Sequence, residues 1–310
     1  MRIRSARDVA AIGWGLQRAL GRSVALAAGL VMLGIGSLAS CAGPNLWTDM
    51  SSVSVGQTGR GRLRQPARLR LRGKGYRVPE KWRNRGNIYG TDELVAAVQH
   101  AAARVRARYW RATAGIADLS PARGGRTMWH KSHQSGRDVD VLFYTKGADG
   151  KAMLPPEHDM IVLSDEGKPV LPAEYTGGYE DPQWKERRLD ARKTWLFVET
   201  LLRDPTIRVQ WIFISRGLES LLLAEARKRK RPGWLIAYAD QVMSQPGDAL
   251  AHNDHMHIRV YCSRSDRFHG CVDRGPVWQH EKKAYKYGGP ERYDPVLWRQ
   301  LAAMTGQTGG

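Results

Sequence analysis

The chain has 310 residues, with 49 Lys and Arg against 30 Asp and Glu, a formal net charge of +19, and a 42% hydrophobic content. That length holds one or two domains and buries a sizeable apolar core, so a chain with no folded interior is excluded. So large a positive excess favours an anionic partner, which could be nucleic acid, anionic lipid or an acidic polymer.

The first forty residues read as a targeting segment. Arg2, Arg4, Arg7, Arg18 and Arg22 form a basic start, and Val24 to Ala39 follows without a charge. The run is short for a spanning helix and suits the apolar core of a signal peptide. It ends in Leu38-Ala39-Ser40-Cys41, which resembles the bacterial lipobox and implies cleavage before Cys41 and a lipid on its thiol. The remainder is therefore expected outside the cytoplasm, as a periplasmic or cell-surface lipoprotein, where no nucleic-acid partner is expected. Cys262 and Cys271 then remain as an even pair in an oxidising compartment, and a disulfide between them is expected.

Residues 41–75 hold many arginines, among them Arg60, Arg62, Arg64, Arg68, Arg70 and Arg72, and few core formers. This composition predicts a basic disordered tether, suited to lie on anionic lipid or polymer. A folded catalytic domain is expected over 76–272. Thr91 is a candidate N-cap, and Leu94, Val98, Ala102, Val105 and Tyr109 recur at helical spacing, predicting a helix over 92–110. Asp138 to Tyr144 reads as a strand, Trp184 to Arg203 as largely helical, Val209 to Ile214 as a buried strand, Leu218 to Lys230 as a helix, and His255 to Tyr261 as the last strand. Residues 273–310 read as a C-terminal tail. With no regular strand–helix alternation, the fold class expected is α+β, with a central, mainly antiparallel sheet flanked by helices.

Two stretches carry the chemistry. His130 to Asp140 contains His130, His133, Asp138 and Asp140, and His252 to His257 contains His252, Asp254, His255 and His257. In the first strand Asp138 and Asp140 share one face and Val139 and Val141 the other. In the last, His255 and His257 share one face, and Met256 and Ile258 the other. Imidazole and carboxylate groups are zinc ligands, and neighbouring strands would set them side by side on the sheet surface. His280-Glu281-Lys282-Lys283 begins like a zinc-helix motif but lacks its second histidine, and reads as a solvated charge run.

The motif Ser132-His133-Gln134-x-Gly136-x-Asp138-Val139-Asp140, joined to His252-x-x-His255-x-His257, resembles zinc peptidases of the lysostaphin, D-alanyl-D-alanine peptidase and hedgehog-like group. The likeness is greatest to penicillin-insensitive murein endopeptidases. The resemblance implies one zinc ion per chain on His133, Asp140 and His257, with His255 as a catalytic partner and His130 and His252 nearby. It implies cleavage of D-alanyl to meso-diaminopimelyl cross-links in peptidoglycan. Without a placed glutamate, His255 is the candidate base or oxyanion stabiliser, a role His130 or His252 could share. Asp138 and Asp254 are candidates to orient ligand imidazoles, and Asp118, Arg126 and Arg137 to hold substrate. The competing functions are a related D,D- or L,D-carboxypeptidase, a basic His-metal nuclease or nucleic-acid-binding protein, and a wall-binding module without catalysis.

Overall fold

The structure, a computed structural model, describes residues 51–171, 180–245, 247 and 251–282, all within the second of two compact units, which spans 47–310. The expected signal segment and Cys41 lie outside the described residues, as does the tail from 283 onward. No described helix is long and apolar enough to cross a membrane.

The centre is a four-stranded sheet built from β8 (Asp138–Leu142), β11 (Val209–Phe213), β12 (Met243–Ser244) and β13 (His255–Val260), in the order β12-β11-β13-β8. β13 runs antiparallel to both β11 and β8, and the two-residue β12 runs parallel to β11. The remaining strands are short: β1 (Val53–Gln57), β2 (Arg60–Arg64), β3 (Ala67–Arg68), β4 (Arg72–Gly73), β5 (Tyr76–Arg77), β6 (Tyr89–Gly90), β7 (Ala114–Gly115), β9 (Thr145–Lys146) and β10 (Arg188–Leu189). Six helices accompany them among the described residues: α1 (Glu80–Arg85), α2 (Asp92–Arg108), α3 (Ala191–Leu202), α4 (Arg216–Lys228), α5 (Gly233–Val242) and α6 (Arg264–Phe268). The mixed architecture and mainly antiparallel sheet match the expected class.

Register explains how the sheet separates core from chemistry. Val139 pairs with Ile258, Val141 with Met256, and Ile258 with Ile212, so one face is a continuous apolar layer, and all five residues are fully buried. Burying each side chain stabilises the domain by roughly 1.5–3 kcal/mol. On the opposite face Asp140 pairs with His257, Asp138 with Arg259, and His257 with Phe213. A slip of one residue would exchange the two faces, so the core holds the polar set in place.

The expected tether is overturned from residue 51 onward. β1 and β2 form an antiparallel hairpin, and Leu63 and Leu69 are 3% and 0% exposed. The arginines mask a period-two pattern in which small and apolar residues alternate inward. Ser52 also serves α2: its Oγ accepts from Asp92 N at 2.7 Å, and its own N–H donates to Asp92 Oδ2 at 2.8 Å. Thr91 occupies the N-cap position, but its side chain makes no capping bond. The cap is supplied by a residue forty positions away in sequence.

Two other boundaries shift. The helix expected from Trp184 divides into a 3₁₀ turn (Trp184–Glu186), strand β10 paired with β9, and α3, whose N-cap Asp190 accepts from Lys193 N at 3.1 Å. The tail does not begin at 273. Asp273 joins Arg137 and Arg267 at 2.8 Å each, and Trp278 Nε1 donates to Gln210 O at 2.6 Å. Glu281, read as part of a solvated run, is 1% exposed and paired with Arg208. The Cys262–Cys271 disulfide is formed and encloses α6.

Candidate metal centre

His133 sits on the loop leading into β8, and its backbone is left-handed, with φ of 63°. Only a well-determined surrounding holds a non-glycine residue there. Its backbone N–H donates to Asp138 Oδ2 at 2.9 Å, and its ring Nδ1 lies 2.8 Å from Leu119 O. The loop is braced from behind by the β1–β2 hairpin. A Cβ on Gly61 would come 2.7 Å from Ser135 Cβ, and one on Gly136 (φ +79°) 2.6 Å from a Leu63 methyl. The hairpin and the loop approach too closely at both positions for a Cβ, and Gly136 also has a positive φ, so both positions favour glycine.

Tautomers follow from the partners. A carbonyl only accepts, so His133 Nδ1 carries the proton and Nε2 holds the lone pair. His257 Nε2 lies 3.2 Å from Asp138 Oδ1, so that nitrogen donates and Nδ1 holds the lone pair. Those two free nitrogens are 3.2 Å apart. Asp140 Oδ1 lies 3.3 Å from His133 Nε2 and 3.0 Å from His257 Nδ1. Three lone-pair-bearing atoms thus converge where the side chains are 0–8% exposed. Such a set repels itself unless a cation lies between its members. The edge of a tetrahedron with bonds of about 2.0–2.1 Å is about 3.3–3.4 Å, close to all three separations.

The electrostatics call for the same cation. Neither oxygen of Asp140, fully buried, receives a hydrogen bond of good geometry among the described residues. Burial would push the Asp140 carboxyl up, but facing His133 and His255 hold it well below the ordinary carboxylate range. Burial likewise opposes charge on His257, yet its bond to Asp138 and the facing carboxylate of Asp140 raise its pKa. Asp138 stays ionised against its own burial because Arg259 Nε, at 2.6 Å, and His257 lie beside it. The residues fit a divalent cation in place of those protons.

Three more imidazoles flank the centre. His255 Nδ1 is 2.6 Å from Asp254 Oδ1, and its Nε2 faces Asp140 Oδ1 at 3.6 Å. Burial works against its charge, but Asp254 and Asp140 outweigh this and push its pKa up to about 9. His252 goes the other way. Burial, then repulsion from His255 and His257, takes it down to about 4. His130 Nε2 donates to Asp118 Oδ2 at 2.8 Å and lies 3.8 Å from Asp140 Oδ2. The facing atoms of His130, His133 and Asp140 all lie within 4.8 Å of one another. His130 is nevertheless a poorer third donor than His257, because the nitrogen facing the centre is engaged by Asp118.

The three residues offered as substrate contacts occupy different settings. Arg137 is 1% exposed and bonds Ser54 Oγ, Val260 O, Val272 O and Asp273, so it ties the β1 strand and the 272–273 segment to the sheet. Asp118 is fully buried and works on His130. Arg126 is exposed on the loop before His130. Sequence reasoning missed Arg85, whose Nη1 shares Asp118 Oδ2 at 2.6 Å and whose guanidinium stacks 4.2 Å from the Trp129 ring. Asn87 Nδ2 holds the other Asp118 oxygen at 3.2 Å. Neither residue stands in a motif, so nothing in the sequence pointed to them. Phe213, whose ring lies 5.3 Å from that of His257, was read only as part of a buried strand.

Fold and centre together define a class: an α+β domain whose sheet carries a buried His/His/Asp set able to hold a metal ion. Comparison with known proteins narrows it. The family described as penicillin-insensitive murein endopeptidase matches residues 54–178. A penicillin-insensitive murein endopeptidase of Haemophilus influenzae is 25% identical over 212 residues, covering 66% of this chain and 62% of that protein. The match therefore spans less than two thirds of that relative's length. The resemblance read from the two histidine stretches is borne out. The family match begins at Ser54, inside the segment expected to be a disordered tether, and covers His130, His133 and Asp140 but not His252 to His257.

Proposed function

We propose that this protein is a zinc metallo-endopeptidase that cleaves peptide cross-links of bacterial peptidoglycan, of the D-alanyl to meso-diaminopimelyl type. The observation that carries the reading is the convergence of His133 Nε2, His257 Nδ1 and Asp140 Oδ1 within 3.0–3.3 Å of one another. His133, Asp140 and His257 would hold the zinc ion. Zinc, when bound at such a centre, supplies a polarised carbonyl and a water acidic enough to ionise near neutral pH.

The remaining work falls to the flanking side chains. His255, fixed by Asp254, presents a proton at Nε2 toward the centre, suited to a developing oxyanion or leaving amine. His252, neutral near pH 7, is suited to accept a proton from the attacking water. Two like residues with pKa values pushed apart by their surroundings is the arrangement acid–base catalysis needs. His130, steered by Asp118, lines the same opening. The reading places the protein at the cell wall, and the lipobox-like Cys41 would tether it to a membrane there.

The test is incubation with purified cross-linked muropeptide dimers, with and without chelator. Conversion to monomers that EDTA stops and zinc restores supports the proposal. Release of free D-alanine alone, without dimer cleavage, would favour a carboxypeptidase, and conversion indifferent to chelator would reject metal dependence.

A further inference from the structure

The hairpin behind the centre carries a second feature. Along β2 and the strands that follow, Leu63, Ala67 and Leu69 point inward, while Arg60, Arg62, Arg64, Arg68 and Arg70 are exposed. No acidic residue occurs from Arg60 to Arg77. Between β2 and the 122–125 loop lies a cavity of about 630 Å³, lined by Arg62, Arg64, Gln65, Arg123 and Gly125 among others. Among the described residues, no carboxylate lies within ion-pairing distance of Arg62, Arg64 or Arg123. Three exposed guanidinium groups without counter-charge around one concavity form a site for an anion. Their planar donor forks match phosphate oxygens in pairs.

We propose that this groove is a membrane-contact site that takes the phosphates of anionic lipid headgroups. Neighbouring side chains on a strand point opposite ways, so Arg62 and Arg64 face away from the His133 loop that Gly61 and Leu63 support. Lipid could thus occupy the groove while the centre stays open. A bilayer presents a dense plane of phosphates, which several exposed arginines along one side of a strand can engage together. The chain adds proximity: between Cys41 and Val53 there is at most about 40 Å of extended backbone. A lipid on Cys41 would hold the ribbon within that distance of the bilayer. The inference does not depend on the hydrolase reading.

The experiment compares partitioning of the full chain between vesicles of phosphatidylglycerol with phosphatidylcholine and vesicles of phosphatidylcholine alone. The apolar N-terminal run contributes to both, so the ratio isolates electrostatic attraction, and its change on substitution isolates the groove arginines from the other basic residues of the chain. The wild type is expected to prefer the anionic vesicles, and high salt to erase that preference. The triple variant Arg62→Ala, Arg64→Ala, Arg123→Ala is expected to lower the ratio by about 100-fold, since each basic group contributes about fivefold. A single Arg62→Glu reversal, least disturbing to the fold, is expected to lower it by more than tenfold. Unchanged cleavage of soluble muropeptide dimers by the variants would show that the site acts apart from the centre. An unchanged ratio in both variants overturns the proposal. So does abolition of the preference by inorganic phosphate at matched ionic strength, which would mark a free-phosphate site. Loss of binding to purified sacculi, with vesicle binding intact, would assign the groove to wall polymer and equally overturn it.

Discussion

Arg85 offers a sharp test of how the centre is organised, because it touches none of the three convergent donors. Its Nη1 and the Nε2 of His130 share one oxygen of Asp118, at 2.6 and 2.8 Å, and Asp118 is fully buried. Replacing Arg85 with methionine removes a charge-assisted bond and leaves the carboxylate to Asn87 and His130 alone. Such bonds contribute about 1.5–3 kcal/mol. If that energy positions His130 in the transition state, the loss is about 10- to 150-fold in kcat. Arg85 is 16% exposed, so part of the stability cost is screened. About 2 kcal/mol is expected, or a Tm lower by about 4–8 °C. The assay is steady-state cleavage of muropeptide dimers, with metal content measured on the same sample. Arg85→Met is expected to lower kcat while KM and bound metal stay near wild type, and Arg85→Lys to recover part of the rate. A variant with normal kcat, or one that loses metal in proportion to activity, would refute the reasoning.

Other consequences follow from the same geometry. His255 is raised from the ordinary 6.5 to about 9 in the metal-free protein, so its pairing with Asp254 stabilises the fold fully below pH 6.5 and is lost as pH rises through 9. The Tm of metal-free protein should therefore fall between those values, and Asp254→Asn should flatten the fall; a Tm rising across that window would contradict it. Gly136→Ala should destabilise by about 1–3 kcal/mol and weaken metal binding, since its Cβ would meet Leu63 and φ is +79°. Equilibrium denaturation and metal titration check both effects, and a neutral outcome would mean the hairpin does not brace the His133 loop. Removing the disulfide with Cys262→Ser and Cys271→Ser should cost about 2.5–3 kcal/mol, read by urea denaturation. A loss below about 0.5 kcal/mol would show that the short loop is already ordered without the bond.

The sheet and its donors were legible in the sequence for one physical reason. β8 and β13 alternate strictly, so the apolar residues that define the core also specify which side Asp140, His255 and His257 occupy. The His133 loop was legible through its motif, although its left-handed backbone and the hairpin behind it were not. The 51–75 segment was misread because charge was weighed over alternation. Six arginines conceal that Leu63, Ala67 and Leu69 are enough to dock short strands on a core supplied by other elements. Arg137 and Asp118 were candidates from residue type alone, and only burial tells an ion that meets ligand from one that meets protein. Their partners, Asp273 and Arg85, lie far away in sequence, and no local pattern reports such pairings. Glu281 was misjudged for the same cause, being surrounded by charge in sequence and buried against Arg208 in space.

The claim on which the rest stands is that His133, Asp140 and His257 share one metal ion. Its most direct test is zinc stoichiometry with X-ray absorption at the zinc edge, for wild type and for His133→Ala, Asp140→Ala and His257→Ala. The account predicts one zinc per wild-type chain, with imidazole nitrogen and carboxylate oxygen at about 2.0–2.2 Å, and loss of tight binding in each variant. Full zinc occupancy with unchanged coordination in any of the three variants would contradict it.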